Sequence, residues 1–458
     1  MVAHYRTSLS GQAPQDIQCT LADTRTPRPM APPGQAAPEA VPMPGEAPAD
    51  KVAVETLQGQ PEPADWAAHM LVLDPGLAAS PNHHQVLDEA LYLGAQSHGW
   101  AWTVLVHRQA RAPFPVVPCF RGGAYVSGRD WLDWQQRTLT LATAFAADLA
   151  EHVTPRLQGG RRPGLLMPTT TLPLLIGLVR WLETLPEASC IPYLGCHFHT
   201  EPAFGQPGSP MATLWAREAM GRLQAAVAAG RIADYRFTVE HDALRDPWER
   251  AGVSPVTTAP SPHAWRNADR LRAKDDRMRL LFIGGIRLEK GVKELLDALP
   301  RLLEQLPLLD VRLVCSVSDP QQRQALSALA GPRVSLRLEE MLPTDVFYQE
   351  IADADAVYCA YQPEAYAHKA SGIFQEAQAL GVPALITAGT GSAYDLETLG
   401  GGAVVIPDLS QGALLSGCRD LITQRQTLEQ RVAQYASRYA ELKTGGYWWS
   451  LHFFLIHQ

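Results

Sequence analysis

The residues most able to do chemistry sit around Ser371-Gly372 and around Arg287 and Lys290. From Tyr358 to Thr387 an apolar run enters a polar loop, and the chain restarts as a helix at Ser371-Gly372. Serine caps a helix well, and glycine lets a ligand approach the backbone closely. The free N–H groups and positive dipole end of such a helix suit a phosphate. One acid, Glu376, lies beside the apolar stripe of Ile373, Phe374, Ala377 and Leu380. About eighty residues earlier, Arg287 and Lys290 stand at the start of another helix. That dipole end disfavours cations, so an anionic ligand explains the pair better than surface charge does. Two histidine pairs are further candidates: His83 and His84 in the loop after an apolar run, and His197 and His199 after a later one. Gly389-Thr390-Gly391-Ser392 reads as a turn rather than a second phosphate cradle.

The elements that must position these residues alternate. MLVLD (70–74) reads as a buried parallel strand, Val86 to Gly99 as a helix, and WTVLV (102–106) as the next strand. The middle is less regular, with strand signals at 165–168, 191–194 and 235–239 and helices through Leu182 and from Met211 to Gly230. Residues 252–276 are polar and Pro-rich, as in a linker. Beyond it, strands fit 279–283, 311–317, 334–338, 356–361, 384–386 and 403–406, with an amphipathic helix from Val292 to Leu306. Alternating strands and helices predict an α/β protein with two doubly wound, Rossmann-like parallel domains.

Composition bounds the rest. At 458 residues and 46% hydrophobic the chain can build two domains of ordinary size. A formal net charge of -8 argues against a general nucleic-acid binder. Seven scattered cysteines without C-x-x-C spacing read as reduced thiols of a cytoplasmic protein. No apolar run is long enough to span a bilayer, so membrane contact would be peripheral, at the inner face. The expected division is a disordered Pro- and Ala-rich tail over 1–65, a first domain over 66–260, a second over 261–435, and an aromatic tail over 436–458. That last tail, YWWSLHFFLIHQ, is read as packing on a domain surface in preference to an interfacial membrane anchor.

Three passages, FIGGIRLEKGVKELLDALP, SGIFQEAQALGVPALIT and, more weakly, MLVLDPG with its NHH loop, resemble the GT-B glycosyltransferases. The likeness is greatest to the family-4-like retaining enzymes that use nucleotide sugars. It implies two domains facing a cleft, the first for the acceptor and the second for the donor. On that resemblance Arg287 and Lys290 face the donor diphosphate and neutralise charge on the leaving nucleotide. Ser371, Gly372 and Ile373 supply backbone N–H groups, Glu376 accepts from the ribose hydroxyls, and Gly284 and Gly285 keep the first turn open. His197 and His199 are catalytic candidates near the reacting sugar, and His83 and His84 line the acceptor cleft. The family pairs two glutamates with seven residues between them; counting back from Glu376 gives His368, with Glu364 four residues too early. His368 or Lys369 therefore stands where the sugar contact is expected.

The resemblance implies transfer of a sugar, with retention and without a metal or other cofactor, to a polysaccharide or lipid-linked glycan. A non-catalytic sugar-nucleotide or glycan-binding protein on the same fold is the alternative. A dinucleotide oxidoreductase is disfavoured because no G-x-G-x-x-G follows a strand, and no P-loop motif occurs.

Overall fold

The computed structural model describes residues 69–448, apart from 79–82, 159–161, 187–189, 204–208, 263–267, 272–274, 341, 443, 446–447. The expected tail over 1–65 and most of the aromatic run after Gly445 lie outside the described residues.

Two all-parallel sheets organise the described chain. The first contains β1 (His69–Asp74), β2 (Ala101–His107), β3 (Val117–Phe120), β4 (Gly164–Thr170), β5 (Leu194–Phe198), β6 (Tyr235–Val239) and β7 (Val256–Thr258). The second contains β8 (Met278–Gly285), β9 (Leu309–Ser316), β10 (Val334–Glu339), β11 (Ala356–Cys359), β12 (Ala384–Thr387) and β13 (Ala403–Ile406). Their orders are β3-β2-β1-β4-β5-β6-β7 and β10-β9-β8-β11-β12-β13. Each sheet grows one way from its first strand, then returns to that strand's other side. This reversal leaves a crevice beyond the strand ends, between β1 and β4 and again between β8 and β11, where ligands of open α/β sheets bind. Both candidate sites are at these two switch points.

The strands read as apolar runs because helices cover both faces. β4 is buried at all seven positions and β5 at all five. The helix Leu172–Thr184 is nearly all apolar and packs between Trp131–His152 and Pro210–Ala228. Gly177 makes this possible, because a Cβ there would lie 2.6 Å from the carbonyl oxygen of Ala142. In the second half, the helix Val292–Gln305 buries Val292, Leu295, Ala298, Leu299 and Leu302, the helical spacing seen in the sequence.

Three expectations need correcting. The strand expected over 191–194 lies at Leu194–Phe198, so His197 is in a strand and not in the loop after it. A buried polar residue is accepted there because its ring finds hydrogen-bond partners on both nitrogens. His83 and His84 are the first two residues of the helix His83–Ser97, not part of a loop. The linker expected over 252–276 contains β7, which pairs with β6 as the edge of the first sheet. A long polar-looking helix, Trp131–His152, has no clear signal in the sequence.

Trp448 returns to the first sheet. It is fully buried in the cluster of Met70, Val72, Leu166 and Tyr193, with its ring 5.7 Å from that of His197. At this residue the packing reading of the aromatic tail holds. Among the described residues no helix is long and apolar enough to cross a membrane.

Candidate active site

The crevice of the second sheet, where the resemblance expects the donor, is built by two short segments that leave adjacent strands. β8 ends in Gly284-Gly285, and the chain turns through Arg287 into the single 3-10 turn Leu288–Lys290. Gly284 has φ +119, a conformation that side chains with a Cβ rarely adopt. A Cβ on it would lie 3.0 Å from Nζ of Lys290 and 3.6 Å from Cδ1 of Ile373. The basic turn and the start of the helix Gly372–Ala379 therefore converge on one point above β8. Around Gly285 there is open space.

Gly291 closes the turn. Its φ of +63 and the 2.2 Å separation between a hypothetical Cβ and the carbonyl oxygen of Ala360 admit only glycine. Its own carbonyl accepts from the hydroxyl of Tyr358 at 2.8 Å, tying the turn to β11. Lys290 is consequently buried, while Arg287 is exposed with Nε 3.4 Å from Oε1 of Glu289. Burial, and then the neighbouring Arg287, lower the Lys290 ammonium to about 8. Glu289 and Glu376 act on it in the opposite sense.

Ser371 caps the facing helix as expected. Its Oγ accepts from the N–H of Phe374 at 3.1 Å, and its carbonyl accepts from the N–H of Gln375. Gly372 and Ile373 then hold the two leading N–H groups that a helix cannot satisfy internally. One turn further on, Glu376 is buried, and its Oε1 accepts from the hydroxyl of Tyr348 at 3.3 Å. Tyr348 comes from the helix Thr344–Ala352, and no sequence motif marks it. His368 uses Nδ1 to donate to the carbonyl of Ala243 at 2.9 Å. Lys369 lies 5.4 Å from the ring centre of Tyr366; burial lowers its pKa, and Glu289, Arg287 and Glu201 also act on it. Gly391, where a turn was expected, opens the helix Gly391–Leu399 and packs on the backbone of Lys369.

The histidines gather at the other switch point. His84 is almost wholly buried, its Nδ1 2.8 Å from Oδ2 of Asp74 at the end of β1. Its ring lies against Gly76, where a Cβ would come within 1.9 Å of it. Asp88, one turn further along the helix, also faces Asp74; burial and the Asp74 charge raise its pKa well above the ordinary value. His83 is exposed, sharing a hydrogen bond with the hydroxyl of Tyr125 at 2.9 Å. His197 is enclosed between Thr238 at 2.8 Å and Ser261 at 3.1 Å. His199 donates through Nε2 to the carbonyl of Pro168 at 3.0 Å, and its Nδ1 is 3.4 Å from Oε2 of Glu240. The rings of His83 and His199 are 6.3 Å apart. Asp74, Tyr125, Glu240 and Ser261 complete this cluster, and sequence spacing pointed to none of them.

Residues 264–439 match the family model described as Glycosyl transferases group 1, a span that contains the whole donor-side crevice. That span is similar in sequence to a group 1 glycosyltransferase domain. The described residues have the GT-B fold of the solved structures they match. The chain is similar to the E. coli trehalose-6-phosphate structure bound with UDP-2-fluoro glucose, with a TM-score of 0.57 and 9% identity over 84% of this chain and 97% of that one. It is also similar to HepE of Anabaena in complex with UDP and glucose, with a TM-score of 0.50 and 14% identity over 83% and 97% of the two chains. WaaG, a glycosyltransferase involved in lipopolysaccharide biosynthesis, gives a TM-score of 0.50 and 15% identity over 84% and 99%. No curated protein matches the chain by sequence. The basic turn and the capped helix both lie inside the family match, whereas the histidine cluster lies before it.

Proposed function

We propose that the chain transfers a sugar from a nucleoside diphosphate sugar to an acceptor glycan or lipid-linked glycan, with retention of configuration and without a metal. The observation that carries this reading is the meeting of Lys290 Nζ and Ile373 at Gly284, at the switch point of the second sheet. The diphosphate would lie there, between the cations of Arg287 and Lys290 and the N–H groups of Gly372 and Ile373. Glu376, pre-oriented by Tyr348, would accept from the ribose hydroxyls. UDP is the natural first donor nucleotide to test, since two of the similar structures hold UDP or a UDP sugar.

In the reaction the bond between the sugar's anomeric carbon and the diphosphate oxygen breaks, and the acceptor oxygen bonds to that carbon on the same face. The electron pair leaves on the diphosphate, where Lys290 and the helix N–H groups stabilise it. The acceptor proton passes to the leaving phosphate oxygen. These groups take over the electrostatic task a metal ion performs elsewhere. His83 and His199, at the first domain's switch point, would contact the acceptor or the reacting sugar. His84 and His197 are enclosed and would support them from below.

Transfer and hydrolysis measured over a panel of nucleotide sugars, with acceptor extracts present, test the reading. Turnover lost in Arg287→Ala/Lys290→Ala supports it. Binding without turnover favours a non-catalytic sugar-nucleotide binder, a reading that draws on the occupation of His368 by Ala243.

A further inference from the structure

The turn Asp242–Leu244, which follows β6 in the first domain, touches the second domain at two places. Its Ala243 carbonyl accepts from Nδ1 of His368 at 2.9 Å. Its Asp242 Oδ2 accepts from the hydroxyl of Tyr394 at 3.0 Å. The other carboxylate oxygen of Asp242 is held by Arg245 and by the hydroxyl of Thr258 on β7, and Arg245 also donates to that hydroxyl. Leu244 is buried beneath. The turn is thus anchored to the edge of the first sheet before it reaches across. The ring of His241 lies 6.2 Å from that of Tyr394 and lengthens the contact.

The two receiving residues belong to one unit with the donor-side helix. His368 is three residues ahead of the Ser371 cap. Tyr394 is on the helix Gly391–Leu399, whose first residue is so close to the donor loop that a Cβ on Gly391 would sit 2.2 Å from the carbonyl oxygen of Lys369. Gln375 of the donor-side helix donates to Oδ2 of Asp395, the neighbour of Tyr394, at 2.8 Å. A force applied at Asp242 or Ala243 therefore reaches the cap at Ser371 by two short routes, through the loop and through Asp395. Packed, hydrogen-bonded segments of this kind move together and not independently.

We propose that Asp242, His368 and Tyr394 form a clasp between the domains that positions the donor-side helix and sets how far the cleft closes. These are positioning residues: they act on the nucleotide through Ser371, Gly372 and Ile373 without touching it. The clasp explains why a histidine stands where the family pattern has a sugar-contacting glutamate, because His368 has a partner on the first domain. The effect on the nucleotide rests on the donor-site reading given above; the effect on domain opening does not.

The test uses the full chain and four variants, Tyr394→Phe, His368→Ala, His368→Gln and Glu376→Ala. Small-angle X-ray scattering of the ligand-free proteins reports cleft opening, and calorimetric titration with UDP, GDP and ADP reports nucleotide affinity. Tyr394→Phe and His368→Ala are expected to raise the radius of gyration and to weaken the nucleotide bound by wild type about tenfold. His368→Gln, whose amide donates to the same carbonyl, should recover part of both. Glu376→Ala should weaken binding with no change in the ligand-free scattering. Unchanged scattering in Tyr394→Phe and His368→Ala overturns the clasp, whatever the nucleotide result. Changed scattering with no nucleotide bound by wild type keeps the clasp and removes the donor-site reading instead.

Discussion

The hydroxyl of Tyr348 donates to Oε1 of Glu376 over 3.3 Å, with both side chains buried beneath the donor-side helix. The acid is therefore oriented before any ligand arrives, which lowers the cost of ordering it on binding. Glu376→Gln keeps the shape and removes the charged acceptor, so nucleotide affinity is expected to fall about tenfold to a hundredfold. Tyr348→Phe removes only the support and should cost roughly threefold to tenfold. Calorimetric titration of both variants with UDP checks the order, and an equal loss in both would contradict it.

Lys290 makes stability and binding depend on pH in opposite ways. Burial, then Arg287, lower its ammonium from 10.5 to about 8 in the folded protein. Between those values the unfolded chain holds more protons than the folded one, so stability of the ligand-free protein rises as pH rises through that window. Below about 8 the cost of the buried charge is fully present. Lys290→Met should remove this dependence and, at pH near 7, stabilise the ligand-free protein by up to roughly 3 kcal/mol. A diphosphate favours the charged form, so its affinity should decline as pH climbs through about 8, with a proton taken up on binding there. Thermal melts across this range, with titrations in two buffers of different ionisation heat, measure both effects.

Two glycines of the basic turn should respond differently to alanine. Gly291 has φ +63 and would push a Cβ to 2.2 Å from the Ala360 carbonyl oxygen, so Gly291→Ala is expected to cost about 3 kcal/mol or more. Gly285 faces open space, and Gly285→Ala should stay within about 0.5 kcal/mol of wild type. Urea unfolding of the pair separates backbone strain from a general intolerance of the turn.

His83 and His84 are adjacent in sequence but should behave as different kinds of residue. Removing the His84 ring leaves the buried Asp74 carboxylate without that partner, so His84→Ala should destabilise the fold by about 3 kcal/mol. His83→Ala lies at the surface and should leave stability nearly unchanged while raising the KM for acceptor. Melting temperature and acceptor kinetics of both variants give the comparison.

The second domain was readable because its signals are local. The Ser371 cap, the apolar stripe of Val292–Gln305 and the Gly284-Gly285 turn each depend on neighbours within a few residues. The first domain was less so, because its site is assembled by distance. Glu240 meets His199 and Ser261 meets His197 only after β5, β6 and β7 align side by side. An apolar-polar run such as GCHFH, which holds His197, looks like a loop until Thr238 on the next strand supplies its partner. The helix Trp131–His152 was hidden by exposed leucines and threonines that blur its apolar face. His368 could be located in the pattern, but its bond to Ala243 crosses between domains and leaves no local trace.

The most direct test of the central claim is a crystal structure of the protein with UDP. The diphosphate oxygens are expected within hydrogen-bonding distance of the N–H groups of Gly372 and Ile373 and of Nζ of Lys290, with the ribose hydroxyls on Glu376. UDP bound elsewhere, or bound with its diphosphate turned away from Gly284 and that helix start, would contradict the account.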